Sequence, residues 1–269
     1  MMKTLLILLT LLPVICLAQA GRNYIGFDKN EYPGDELLPA LHQTFAYSGY
    51  WLNNPPGMSS NPWIGKRQQL RDAGFGFLLL FNGRTYAQLK DYDPAALGTA
   101  DAKDAIAAAR RENFPARSII FLDQEEGGRL LPEQAAYIGA WIAGVTASDF
   151  RAGVYCSGIP VSEGTQKITT AQDIANRFAT PSNQLALWVF NDQCPPALGC
   201  ILKAASPARS GIPDALVWQY ARSPRSDAAA ACKLGYANDG SCYAPNLPPS
   251  NRIQLDLNTS TRSDPSRGR

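Results

Sequence analysis

Asp123 and Glu125 end an apolar run, Ser118-Ile119-Ile120-Phe121-Leu122, with one residue between them. On an extended strand, alternate side chains share a face, so these two carboxylates point the same way from Cα atoms roughly 6.5 Å apart. Like charges in so small a space repel and raise the pKa of at least one of them, which suits proton transfer. Two more acids follow the same pattern: Asp28 closes "NYIGFD" and Asp256 lies in "IQLDLN". Gln219 sits in a comparable place, and Tyr155, Trp188, Trp218 and Tyr220 stand beside these runs. Flat aromatic faces stack on sugar rings. Paired acids protonate a glycosidic oxygen and stabilise an oxocarbenium-like transition state, so the set points to carbohydrate chemistry.

Such residues need a frame that brings distant segments together. Eight β-rich runs, at 23–28, 45–52, 75–83, 118–125, 151–158, 185–192, 215–221 and 253–258, each end in Gly, Asn, Asp or Pro punctuation. Helical stretches lie between several of them. Residues 64–74 stop at Gly74, and 99–113 are Ala-rich with acids first and basic residues last. Pro132 opens 132–148 with apolar residues at near-helical spacing, and 169–179 is similar. Alternating strand and helix predicts a parallel sheet, and eight units predict closure. The expected fold is α/β, a single (β/α)8 TIM-type barrel over 21–260, irregular in its C-terminal half, with loops at 193–214 and 222–252. In such barrels the working groups sit at the C-terminal strand ends. Residues 261–269 read as a polar, disordered tail. Glu126 points away from the Asp123–Glu125 face and reads as a surface acid.

The first twenty residues carry one Lys, an apolar run and Ala18-Gln19-Ala20, the pattern of a signal peptide cleaved near Ala20. Secretion or periplasmic residence is expected, without stable membrane insertion, because the apolar run is short for a span. Loss of that Lys leaves the charge near zero, so nucleic acid is not an expected partner. Oligomeric state is not legible. Export favours disulfides; the simplest pairing joins Cys194 to Cys200 and Cys232 to Cys242 as two local staples, leaving Cys156 as a buried free thiol. His42 is the one histidine and lies far from every strand end, which sets aside Ser-His-Asp and zinc chemistry. No metal or other cofactor is expected.

Six motifs in order, "IGFDKNEY", "FLDQE", "AGVYCSG", "LALWVF", "VWQYA" and "IQLDLN", resemble those of family 25 glycoside hydrolases, the muramidase lysozymes. They look closer still to the related glycoside-hydrolase-like domain of unknown function 1906. The resemblance spans nearly the whole chain after the leader. It implies a flattened, irregular barrel with an acidic groove in which Glu125 is the proton donor. Asp123 would assist, as electrostatic stabiliser or by orienting an acetamido group. Asp28 and Asp256 match the acids of the first and last strands. Tyr155, Trp188, Trp218, Gln219 and Tyr220 would bind substrate. Lys29-Asn30-Glu31-Tyr32-Pro33 departs from the short Ser-containing turn of the muramidases, and the long, Trp-rich 47–63 segment predicts a different groove wall.

The expected function is cleavage of an N-acetylated cell-wall polysaccharide of peptidoglycan type by carboxylate acid/base catalysis. One alternative is an inactive barrel that binds glycan. Another is a chitinase-like hydrolase, although the fuller D-x-x-D-x-D-x-E signature is absent, since Ile119, Ile120, Phe121 and Leu122 precede Asp123.

Overall fold

A computed structural model describes residues 22–180, 185–225, 232 and 234–269, so the expected leader, 1–20, lies outside the described residues. Eight strands close into one barrel: β1 (Tyr24–Asp28), β2 (Tyr47–Trp51), β3 (Gly76–Asn82), β4 (Ile119–Gln124), β5 (Arg151–Ser157), β8 (Ala186–Phe190), β9 (Val217–Ala221) and β10 (Asp256–Ser260). A small hairpin, β6 (Val161–Glu163) with β7 (Gln166–Ile168), projects after β5. The helices are α1 (Leu38–His42), α2 (Arg67–Asp72), α3 (Tyr86–Leu89), α4 (Pro94–Arg111), α5 (Pro132–Thr146) and α6 (Thr170–Phe178).

Local chemistry accounts for the helix limits. Asp93 caps α4 by accepting from the N–H groups of Ala95 and Ala96, and Pro94 fills the first turn. The helix therefore begins before the Ala-rich stretch that marks it in sequence. Gly98 lets α4 approach α5 closely, because a Cβ there would collide with the Tyr137 carbonyl oxygen. Thr169 and Gln172 form a reciprocal cap on α6. Inside the barrel Phe121, Tyr155 and Trp188 pack as a ring cluster, with Tyr155 and Trp188 centroids 4.6 Å apart.

The wholly parallel expectation fails at one strand. β10 runs antiparallel to both β1 and β9, and the register sets Asp28 directly opposite Asp256. Among the described residues the β9–β10 connection holds no α-helix to carry the chain back to the barrel floor. β10 is entered from the mouth. Asp256 thus reaches the mouth from the N-terminal end of its strand.

The segment expected to be a disordered tail is also built into the fold. The Phe77 N–H donates to Asp264 Oδ1 at 2.8 Å and the Leu79 N–H to Ser266 Oγ at 2.9 Å. The Ile119 N–H donates to the Ser266 carbonyl, and the Ser266 N–H to that of Phe77. β3 and β4 pair only from Leu79 and Ile120 onward, so this segment fills the gap at their floor ends. Polarity here serves buried backbone groups rather than water. Removing residues 263–269 should strand those N–H groups at about 1–3 kcal/mol each. The expected readout is a clearly lower urea midpoint; an unchanged midpoint would show that the segment contributes nothing.

Candidate active site at the barrel mouth

A cavity of about 270 Å³ opens at the strand ends, lined by Asp28, Asp123, Glu125 and Asp256 together with Tyr155, Trp188 and Gln219. Asp28 Oδ1 accepts from Asn258 Nδ2 at 2.6 Å and from Gln219 Nε2 at 3.0 Å. Gln219 in turn accepts from the Tyr155 hydroxyl at 2.6 Å and lies 3.5 Å from Asp256 Oδ2. Asn258 also accepts from the Trp188 indole at 2.9 Å. Asp256 Oδ1 accepts from the Ser223 N–H at 2.6 Å. These bonds fix two carboxylates and two amides as one unit on β1, β9 and β10.

Gly49 makes room for this unit. A Cβ at that position would lie 2.7 Å from the Cβ of Asp28 and 3.2 Å from its Cα. Gly49→Ala should therefore displace Asp28 and cost about 1–3 kcal/mol of unfolding free energy. Denaturant melts would show it, and an unaltered melt would contradict the close approach.

Asp123 and Glu125 occupy different environments. Asp123 is buried, and its Oδ1 has no hydrogen-bond partner. Burial pushes its pKa well above the usual carboxylate range, and the nearby charges of Glu125 and Asp28 add to the shift. Glu125 is exposed at the rim and makes no hydrogen bond to the protein among the described residues. Burial also raises Asp28, to about 6, against the lowering effect of its two amide donors. Asp256 is raised well above its ordinary value by burial and by Asp28, opposed by the Ser223 N–H and Arg222. Burial and mutual repulsion therefore disfavour full ionisation of these close aspartates, which titrate as a coupled set.

Two predicted substrate-binding residues lie elsewhere. Gln219 faces the interior, so strand alternation turns Trp218 and Tyr220 outward. The Trp218 indole donates to the Asn191 carbonyl, and the Tyr220 hydroxyl to that of Ile201. Glu126 is likewise no surface acid: it accepts from the Tyr86 N–H and from Gln134 Nε2 at 2.5 Å, pinning α3 and α5 to the end of β4. His42 packs edge-on against Phe75, before the floor end of β3.

Other contributors escaped the sequence reading. Asp192 and Arg222 line the cavity and pair at 3.2 Å, with the guanidinium over the Phe190 ring. Each lies just past the last paired residue of its strand, and the "VFND" ending was the available signal for Asp192. Trp51 and Pro56 form one wall. The 53–63 loop is tied back by Asn30 Nδ2 to the Pro56 carbonyl and by Asn61 Nδ2 to that of Trp51. Trp63 is wholly buried and supports that wall from behind, donating to the Asn30 carbonyl.

The cysteine pairing differs from the local staples expected. Cys200 bonds to Cys242. Cys194 and Cys232 are free thiols, the neighbouring Cys232 pushing the Cys194 pKa up, and Cys156 is a buried free thiol. Neighbours in space, rather than in sequence, decide the partners, because the 193–201 and 232–242 loops lie against each other: the Cys200 N–H donates to the Leu234 carbonyl.

The family described as Rv2525c-like, glycoside hydrolase-like domain matches residues 46–196, more than half of the chain. Among solved structures, the Tat-secreted protein Rv2525c of Mycobacterium tuberculosis, in complex with HEPES, is similar at 12% identity and a TM-score of 0.53, covering 91% of this chain and 98% of that one. An uncharacterized protein of B. stearothermophilus is similar at 19% identity and 0.51, covering 87% and 94%. The bacterial lysozyme of Streptomyces coelicolor is similar at 12% identity and 0.50, covering 87% and 90%. At such identities the likeness is one of fold. No curated protein matches the chain.

Proposed function

The chain belongs to the Rv2525c-like glycoside hydrolase-like family, and from that premise we propose that it cleaves an N-acetylated cell-wall polysaccharide of peptidoglycan type. The observation that carries this reading is the pair at the end of β4. Asp123 holds a buried, unpartnered carboxyl oxygen with a raised pKa, two residues from a carboxyl open at the rim. Buried polar atoms are ordinarily satisfied, and a substrate acetamido or hydroxyl group would satisfy this one.

Glu125 delivers the proton to the glycosidic oxygen, since its carboxyl is free of protein partners. Asp123 orients the substrate beside it. The coupled Asp28–Asp256 pair carries negative charge beneath the sugar, where positive charge develops in an oxocarbenium-like transition state. Tyr155 and Trp188 shape the floor rather than offer open stacking platforms, being almost wholly buried. Action outside the cytoplasm fits the leader-like start and the Cys200–Cys242 bridge.

The test is incubation with purified peptidoglycan and, separately, with N-acetylglucosamine oligomers. New reducing ends from peptidoglycan support the reading. Ends from the oligomers alone would replace it with a chitinase-like activity, and binding without new ends would replace it with a glycan-binding barrel.

A further inference from the structure

Two loops meet behind the Asp192–Arg222 side of the cavity. The Cys200–Cys242 bridge and the Cys200 N–H to Leu234 carbonyl bond, 2.7 Å, join them at one place. The Cys232 N–H donates to the Asp192 carbonyl at 3.3 Å, joining them at a second place. Cys194, two residues beyond Asp192, there meets Cys232 thiol to thiol. Gly199 fits the crossing because it adopts φ of 61° and leaves no space for a Cβ beside Leu234. Cys194 is exposed and Cys232 is buried, so one thiol is open to a reagent and the other is shielded behind it. Cys156 is buried in β5 and has no such partner among the described residues.

We propose that Cys194 and Cys232 are an oxidation site that closes a second disulfide, a brace parallel to Cys200–Cys242 that locks Asp192 and Arg222 into the cavity wall. The oxidant is a disulfide-bearing thiol carrier. The Cys194 thiolate attacks one of its sulfurs and forms a mixed disulfide, releasing the first carrier thiol. The Cys232 thiolate then attacks the Cys194 sulfur, forms the protein bridge and releases the second. The two protein thiols lose two protons and two electrons, and the carrier disulfide gains them. The inference does not depend on the proposed glycan cleavage.

The experiment treats the full-chain product with oxidised glutathione, traps remaining thiols by alkylation, and maps the peptides without reduction. The expected result is a Cys194 peptide linked to a Cys232 peptide, with Cys200–Cys242 retained and Cys156 alkylated only after denaturation. In a Cys232→Ser variant, Cys194 should stop at the glutathione mixed disulfide. Separate alkylation of Cys194 and Cys232 in the oxidised wild type, or a Cys194–Cys200 link, would overturn the proposal. So would an unreacted Cys194 thiol in the variant.

Discussion

Glu125→Gln is expected to lower the rate of glycan cleavage by about three orders of magnitude while leaving the thermal midpoint nearly unchanged. A positioned general acid contributes roughly 10²- to 10⁴-fold, and Gln keeps the shape of the side chain while removing the transferable proton. The stability half follows from geometry. Glu125 is exposed and bonds to no protein group among the described residues, so its replacement strands no partner. Full activity in the variant would remove Glu125 from the proton-donor role. Lost activity with a collapsed midpoint would mean that the residue is structural. Sugar affinity should survive in the folded variant.

The second large effect is on stability and depends on pH. Burial pushes Asp28 up to about 6, whereas an unfolded aspartate titrates near about 3.9. Folding thus favours the protonated carboxyl. The stability this supplies is complete below about pH 4 and is lost as pH rises through about 6, because the native protein must then hold or shed an awkward charge. Two units correspond to about 3 kcal/mol. Asp28→Asn imitates the neutral acid and keeps an oxygen for Asn258 and Gln219. The variant should match the parent near pH 3.5 and exceed it at pH 7.5 by up to about 3 kcal/mol, less whatever Asp123 and Asp256 absorb by retitrating. Urea melts at the two pH values read this directly. An equal shift at both, or a loss at pH 7.5, would contradict the account. Activity should fall in the same variant, since the groove loses a charge beneath the sugar.

The acids were legible because an apolar run that carries Asp or Glu near its end has few structural uses, and four acids, Asp28, Asp123, Glu125 and Asp256, recur on three such runs. Asp256 was placed correctly for an incomplete reason. Its side chain reaches the mouth because β10 runs backwards, a property of the β9–β10 connection, which holds no crossover helix among the described residues and lies outside the strand's own residues. Trp218 and Tyr220 show the converse limit. Strand periodicity says that they and Gln219 face opposite sides, but only the partners of Gln219, on β1 and β10, decide which side is inward.

Long-range pairing hid the rest. The floor segment at 263–269 is polar in composition, yet its polar groups satisfy β3 and β4 backbone nearly 190 residues earlier in the chain. Cysteine spacing favours local loops on entropy alone, whereas the fold lays one loop on another and joins Cys200 to Cys242, 42 residues apart. Asp192 and Arg222 act together only once β8 and β9 are neighbours.

The most direct test of the central claim sets the parent protein and Glu125→Gln side by side on purified peptidoglycan, both shown to be folded by their melts, and counts new reducing ends. Release by the parent and almost none by the variant is the expected result. Equal release by both, or none by a folded parent, would contradict it.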